Sequence, residues 1–210
     1  MAIKPILFNS EMVRAILDGR KDATRRIVKG FIPDDAVWGY TAFTPKGYIS
    51  CRGTFADGYG EKFFKLPCEP GDILYVRETW KKALNGYYYY EAWQRNDIAD
   101  VTKWKPSTRM PKEAARIWLK VTNVRVERLQ EITDEQAKRE GIQYDECPTG
   151  FTWKQETDMH NCYTTPIGAM QALWNSTIKK SDLDGYGWDA NPWVWTIEFE
   201  RCEKPEEISG

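Results

Sequence analysis

Met12, Val13, Ile16 and Leu17 recur at helical spacing directly after Asn9 and Ser10, either of which can cap a helix, and Gly19 supplies a stop. Ile3 to Phe8 before this helix reads as a short strand, and Thr24 to Val28 after it as extended chain. Pro70-Gly71-Asp72 is a turn signal, and Ile73-Leu74-Tyr75-Val76 follows as a largely buried strand that ends at Arg77-Glu78-Thr79-Trp80 and delivers charged groups to a rim. Tyr87 to Trp93 reads as strand, and the polar, Pro-bounded stretch from Asn96 to Pro111 as loop. Ile117, Leu119 and Val121 alternate with Trp118, Lys120 and Thr122 as in a half-buried strand, which Val124 and Val126 continue after a bend at Asn123.

Thr133 then opens a capping box with Gln136, Ile132 can staple Ala137, and Gly141 closes that helix just past Glu140. Thr165-Pro166 opens another helix, with Ile167, Met170, Leu173, Trp174 and Ile178 on one stripe. The clearest strand comes last: Trp193, Trp195, Ile197 and Phe199 alternate with Val194, Thr196, Glu198 and Glu200, and the acidic tail after Lys204 reads as loose. Short strands interrupted by a few helices, without a strict βαβ rhythm, predict an α+β domain around a mixed or closed sheet. At 210 residues one core can serve residues 1–210 as a single domain. Three stretches without sustained period, at about 31–66, 84–110 and 143–164, read as irregular insertions.

Composition narrows the partners. Thirty Lys and Arg balance thirty-one Asp and Glu, which argues against a protein that grips long duplex DNA by its phosphates; a nucleic-acid role has to be local. Ten Trp, eleven Tyr and eight Phe supply flat surface for a core or for stacking on bases. Five cysteines without a C-x-x-C pair suit a reducing compartment, and without an apolar leader or a long apolar run the expectation is a cytoplasmic protein with no membrane partner. A single histidine excludes chemistry that needs several. Cys147, His160 and Cys162 are three soft donors, but their spacing follows no familiar zinc pattern, so neither metal nor cofactor is expected.

The densest chemistry lies in Gly19-Arg20-Lys21-Asp22-Ala23-Thr24-Arg25-Arg26, where a helix end hands over to a strand amid four basic side chains. Such a cluster is either a solvated surface loop or a site for an anion or nucleotide. Arginine offers planar, bidentate donors, and a lysine crowded by cations is more readily deprotonated and so a better base.

Ile16-Leu17-Asp18-Gly19-Arg20-Lys21 with Thr24 and Arg26, then Pro70 to Val76 and Trp193 to Phe199, resembles the ASCH domain, a PUA-like family with a mixed β-barrel linked to RNA and nucleoside chemistry. Pro70 to Trp80 and Trp188 to Trp195 resemble runs in the larger ASCH proteins of bacteriophages and prophages. At the motif level the chain is similar to small bacterial N4-acetylcytidine amidohydrolases, which use a lysine, a threonine three residues later and a downstream glutamate at a helix entered through a Leu-x-x-Leu-Thr-type run. Lys21, Thr24 and Glu140, the last reached through Leu129 to Thr133, match residue by residue, whereas Asp22 and Ala23 replace the family's usual Thr and hydrophobe.

The resemblance implies a basic pocket for a modified nucleoside, nucleotide or single-stranded RNA. In it Thr24 attacks an acyl group, Lys21 removes its proton, and Glu140 orients the lysine or protonates the leaving amine. Arg26 or backbone N–H groups would support the oxyanion. Arg20, Arg25, Arg26, Arg77, Glu78 and Trp80 are the substrate-binding candidates. A non-enzymatic RNA-binding module and an ASCH-type ribonuclease remain as alternatives. In a regular strand an offset of three sends Lys21 and Thr24 to opposite faces, so the motif has to bend.

Overall fold

The computed structural model describes residues 1–93, 103–147, 150–154 and 163–206. In chain order these form β1 (Ile3–Leu7), α1 (Ser10–Leu17), β2 (Ala23–Ile27), β3 (Val37–Gly39), β4 (Tyr48–Phe55), β5 (Gly58–Lys65), β6 (Ile73–Arg77), β7 (Trp80–Ala83) and β8 (Gly86–Tyr89). There follow α2 (Tyr90–Trp93), β9 (Trp118–Arg128), α3 (Asp134–Arg139), β10 (Gln143–Cys147), β11 (Gly150–Lys154), α4 (Pro166–Thr177), α5 (Leu183–Tyr186) and β12 (Trp193–Cys202).

Five strands make the main sheet in the order β1-β6-β9-β12-β2, with β1 parallel to β6 and the other pairs antiparallel. The architecture is thus mixed α+β. The expected closed barrel is not formed among the described residues: the ladder ends at β1 and β2, which do not pair with each other. A side chain spans the gap instead, the Arg26 guanidinium donating to the Leu7 carbonyl at 2.8 Å. The bend expected near Asn123 is a register shift between β9 and β12, where Glu198 pairs with Asn123 but Phe199 with Val121.

Both faces of the sheet are covered. Ile6, Phe8, Leu74, Val76, Leu119, Val121, Ile197 and Phe199 form one core with Val13 and Ile16 of α1. Val194 points the other way, onto Ala137 of α3 and Met170, Leu173 and Trp174 of α4. Each large aliphatic buried in this way stabilises the fold by roughly 1.5–3 kcal/mol.

The first insertion is not irregular. It contains the three-stranded sheet β3-β4-β5, joined to the main sheet through Trp38, whose ring lies 5.1 Å from Phe64 and 5.7 Å from Trp193. The second carries β8 and a single helical turn where strand was expected throughout, and the third carries the hairpin β10-β11. Among the described residues no helix is long and apolar enough to cross a membrane.

Candidate functional site

The helix stop at Gly19 sets the local geometry. Its φ of +74° permits a left-handed residue after the Asp18 cap, and the amides of Gly19 and Arg20 return to the carbonyls of Ile16 and Ala15. The chain therefore turns sharply, and β2 begins only at Ala23. Lys21 lies outside that strand in an isolated bridge to Glu140, so the strict alternation that would send it away from Thr24 does not run through the motif.

Glu140 arrives from the other side as the C-cap of α3, whose N-terminus carries the capping box between Thr133 and Gln136. Gly141 follows with a φ of +102°, and a Cβ there would stand 2.9 Å from that of Ala15. Glycine at this position lets the end of α3 close onto the end of α1.

Lys21 Nζ donates to Glu140 Oε2 at 2.7 Å, to the Glu140 carbonyl at 2.9 Å and to the Ala23 carbonyl at 2.7 Å, and its side chain is wholly buried. Burial pushes this ammonium below its ordinary range. The Glu140 carboxylate works against that, and the Arg26 and Arg25 guanidiniums reinforce it. The other Glu140 oxygen accepts from Arg25 at 3.1 Å, and Arg25 also donates to Glu127 at 2.6 Å and to Gln136 at 3.2 Å. Arg25 is therefore a buried cross-link and is not presented to a ligand.

Thr24 pairs with Ile197, and the period of two along β2 puts it on the face it shares with Arg26, opposite Arg25. Beside that face, at the gap between β1 and β2, lies an open groove of about 420 Å³. Lys4, Arg26 and Arg77 line it together with apolar side chains that include Ile6, Leu74 and Ile197. The Phe8 ring links the groove to the buried pair: Lys21 Nζ stands 5.6 Å from its centroid and the Arg26 guanidinium carbon 5.4 Å.

The remaining candidates are placed elsewhere. Arg20 donates to the Gly141 carbonyl and to Asp18 and lies beside the shallow hollow formed with Asp22, Lys138 and Arg139. Glu78 does not reach a rim. It is buried and held in a fork by Arg116 at 2.9 and 2.8 Å, and burial pushes its carboxyl above the usual range. Trp80 packs with Met110, Ala114 and Trp118 and carries Lys105 over its ring at 5.0 Å.

Phe8 and Lys4 were not legible as site residues, because on the sequence both belong to an ordinary strand end. His160, Cys162 and the Cys147 side chain lie outside the described residues, among which no cluster of three or more His, Cys, Asp or Glu is arranged to hold a metal.

In comparisons with known proteins, no protein-family model, curated protein or solved structure matches the chain.

Proposed function

We propose that this chain is a cytosolic, PUA-like protein of the ASCH type that removes an acyl group from an N4-acylated cytosine. One observation carries the reading: Lys21 and Glu140, from distant segments, meet at 2.7 Å in a solvent-free position at the start of β2, where the buried Thr24 shares with Arg26 the strand face that borders a cationic groove. The PUA-like part of the reading draws support from an open mixed sheet whose two edge strands are spanned by one arginine.

The chemistry assigns a step to each group. Thr24 Oγ1 attacks the acyl carbon and Lys21, from the minor deprotonated form of its resting ammonium, takes the hydroxyl proton. Burial eases access to that form, against the Glu140 carboxylate that holds the ammonium charged. Arg26, whose bond to Leu7 leaves further donors free, faces the developing oxyanion. As the C–N bond breaks, Lys21 returns the proton to the departing cytosine amine. A water deprotonated by the same lysine then releases the acid and regenerates the threonine. Glu140, with both oxygens engaged, orients Lys21.

The test incubates the protein with N4-acetylcytidine and follows cytidine by chromatography beside Thr24→Ala and Lys21→Ala. Turnover is expected only from the unchanged protein; equal turnover by all three removes the mechanism.

A second reading, a module that binds nucleosides or RNA without chemistry, draws on the three bonds of Lys21, all made to acceptors other than Thr24. It requires binding that survives Thr24→Ala and weakens with salt.

A further inference from the structure

The groove has an electrostatic character that an uncharged nucleoside would not use. Three cations line it, Lys4, Arg26 and Arg77, and no carboxylate is among its lining residues. Lys4 is neutralised by Asp72 at 2.9 Å, but the two arginines are held by main-chain oxygens: Arg26 by Leu7, and Arg77 by Met110 at 2.9 Å and by Thr108. Carbonyls fix a guanidinium in place without cancelling its charge. Each guanidinium carries about five N–H donors, so one bond at Arg26 and two at Arg77 leave donors for a ligand.

Topology brings these two residues to one place. Leu7 is the β1 partner of Arg77 in register, and its carbonyl is the atom that Arg26 grips from β2. The Arg26 guanidinium is thus anchored at the C-terminal end of β1, beside the strand position of Arg77, whose own guanidinium is fixed by the Met110 and Thr108 carbonyls. The remaining wall, with Pro5, Ile6, Leu74, Pro67 and Ile197, is apolar and suits a base or sugar. Planar forks anchored on carbonyls beside an apolar wall fit the tetrahedral oxygens of a phosphate joined to a nucleoside.

We propose that the groove selects a phosphorylated ligand, its phosphate shared by Arg26 and Arg77 while the nucleoside lies along the apolar wall. The proposal rests on the reading of this groove as the substrate's entrance. The phosphate can belong to a mononucleotide or to an RNA strand.

The experiment is equilibrium binding to the full chain by calorimetry with cytidine, cytidine 5′-monophosphate and a short single-stranded oligocytidine RNA, each at two salt concentrations. The monophosphate is expected to bind about 10- to 100-fold more tightly than cytidine, the range for charge-assisted bonds to a phosphate, and the advantage should shrink with salt. Arg77→Gln should remove most of the advantage and Arg77→Lys retain part of it, with circular dichroism showing both variants folded at the assay temperature. RNA binding tighter than the monophosphate, with a steeper salt slope, assigns the phosphate to a strand; equal binding assigns it to a mononucleotide.

Equal binding of cytidine and its monophosphate, or an advantage untouched by Arg77→Gln, overturns the proposal. Deacylation is scored separately. A chain that prefers the monophosphate but releases no acyl group keeps the phosphate site and loses the hydrolase. A chain that processes N4-acetylcytidine and its 5′-phosphate with equal kcat/KM keeps the hydrolase and loses the phosphate site.

Discussion

Replacing Glu140 by Gln tests the buried contact on which the site depends. The substitution keeps shape and removes one charge between two buried cations. Arg25 still has Glu127 at 2.6 Å, so the group left without a counter-charge is Lys21. Breaking a buried ion pair from one side costs about 3–5 kcal/mol. Deprotonation of the lysine sets a ceiling. At pH 7.5 that requires moving about three pH units from an unfolded-state value near 10.4, or about 4 kcal/mol at about 1.4 kcal/mol per unit. The expected loss is therefore about 3–4 kcal/mol, read by urea unfolding followed through tryptophan fluorescence. The pH dependence carries the diagnosis. With a neutral lysine in the folded variant and a charged one in the unfolded chain, unfolding takes up a proton. The variant's stability should then rise relative to the unchanged protein by up to about 1.4 kcal/mol per pH unit between pH 7 and 9. Adding Lys21→Met to Glu140→Gln removes the orphaned charge and should recover most of the loss. A loss under about 1 kcal/mol, or parallel pH profiles, refutes the reasoning that the pair is dry and mutually dependent.

Three other perturbations have defined outcomes. Gly141→Ala adds a left-handed penalty of about 1–2 kcal/mol to a 2.9 Å approach to Ala15, whereas Gly19→Ala meets only the penalty because nothing lies within 4 Å; equal losses in urea would contradict the close approach. Arg116→Met leaves the buried Glu78 carboxyl, already pushed upward, without its fork, so that variant should gain stability as pH falls from 8 to 5, when the folded state binds the proton more readily; a loss over that range argues against it. Burial pushes the Cys51 and Cys68 thiols up to about 11, so iodoacetamide at pH 8 should modify neither until the protein is unfolded, as peptide mass mapping would reveal; prompt native labelling of either would count against the packing.

What the sequence disclosed followed from how local the cause was. The helix of α1, its Asn9 cap and its Gly19 stop are set by neighbours within one turn, and the same holds for the Thr133 box and the alternation along β12. The β3-β4-β5 sheet escaped because β5 keeps only Gly60 and Phe64 half-buried and exposes Tyr59, Glu61, Phe63 and Lys65, which blurs the period. The motif disclosed which residues to watch but not where they face. Arg25 and Arg26 look alike in the basic run, yet alternation sends Arg26 toward the groove and Arg25 into the charges under α3. Glu78 and Trp80 were expected on a rim because a strand ends there. Packing of the distant Met110, Ala114 and Trp118 against Trp80, and the fork from Arg116, bury both.

The two buried charge clusters act on one element. Lys21, Arg25 and Glu140 fasten the turn after α1 to the end of α3, while Arg116 joins Glu78 to Glu91, and Arg14 of α1 reaches Glu91 at 3.1 Å. Helix α1 is the connection between β1 and β2, the strands whose unpaired edges bound the groove. Its anchorage at Arg14 and again at Lys21 therefore fixes the separation of those edges, and with it the reach of Arg26 to Leu7. Apolar contacts along α1 would tolerate a slip of the helix, since they are non-directional. Ion pairs at 2.7 to 3.1 Å tolerate it poorly, because a small displacement leaves a buried charge unmet. On this argument the clusters act less to raise overall stability than to hold one gap in the sheet at a set width, which is the condition for Arg26 to keep its bond to Leu7 at the edge of the groove.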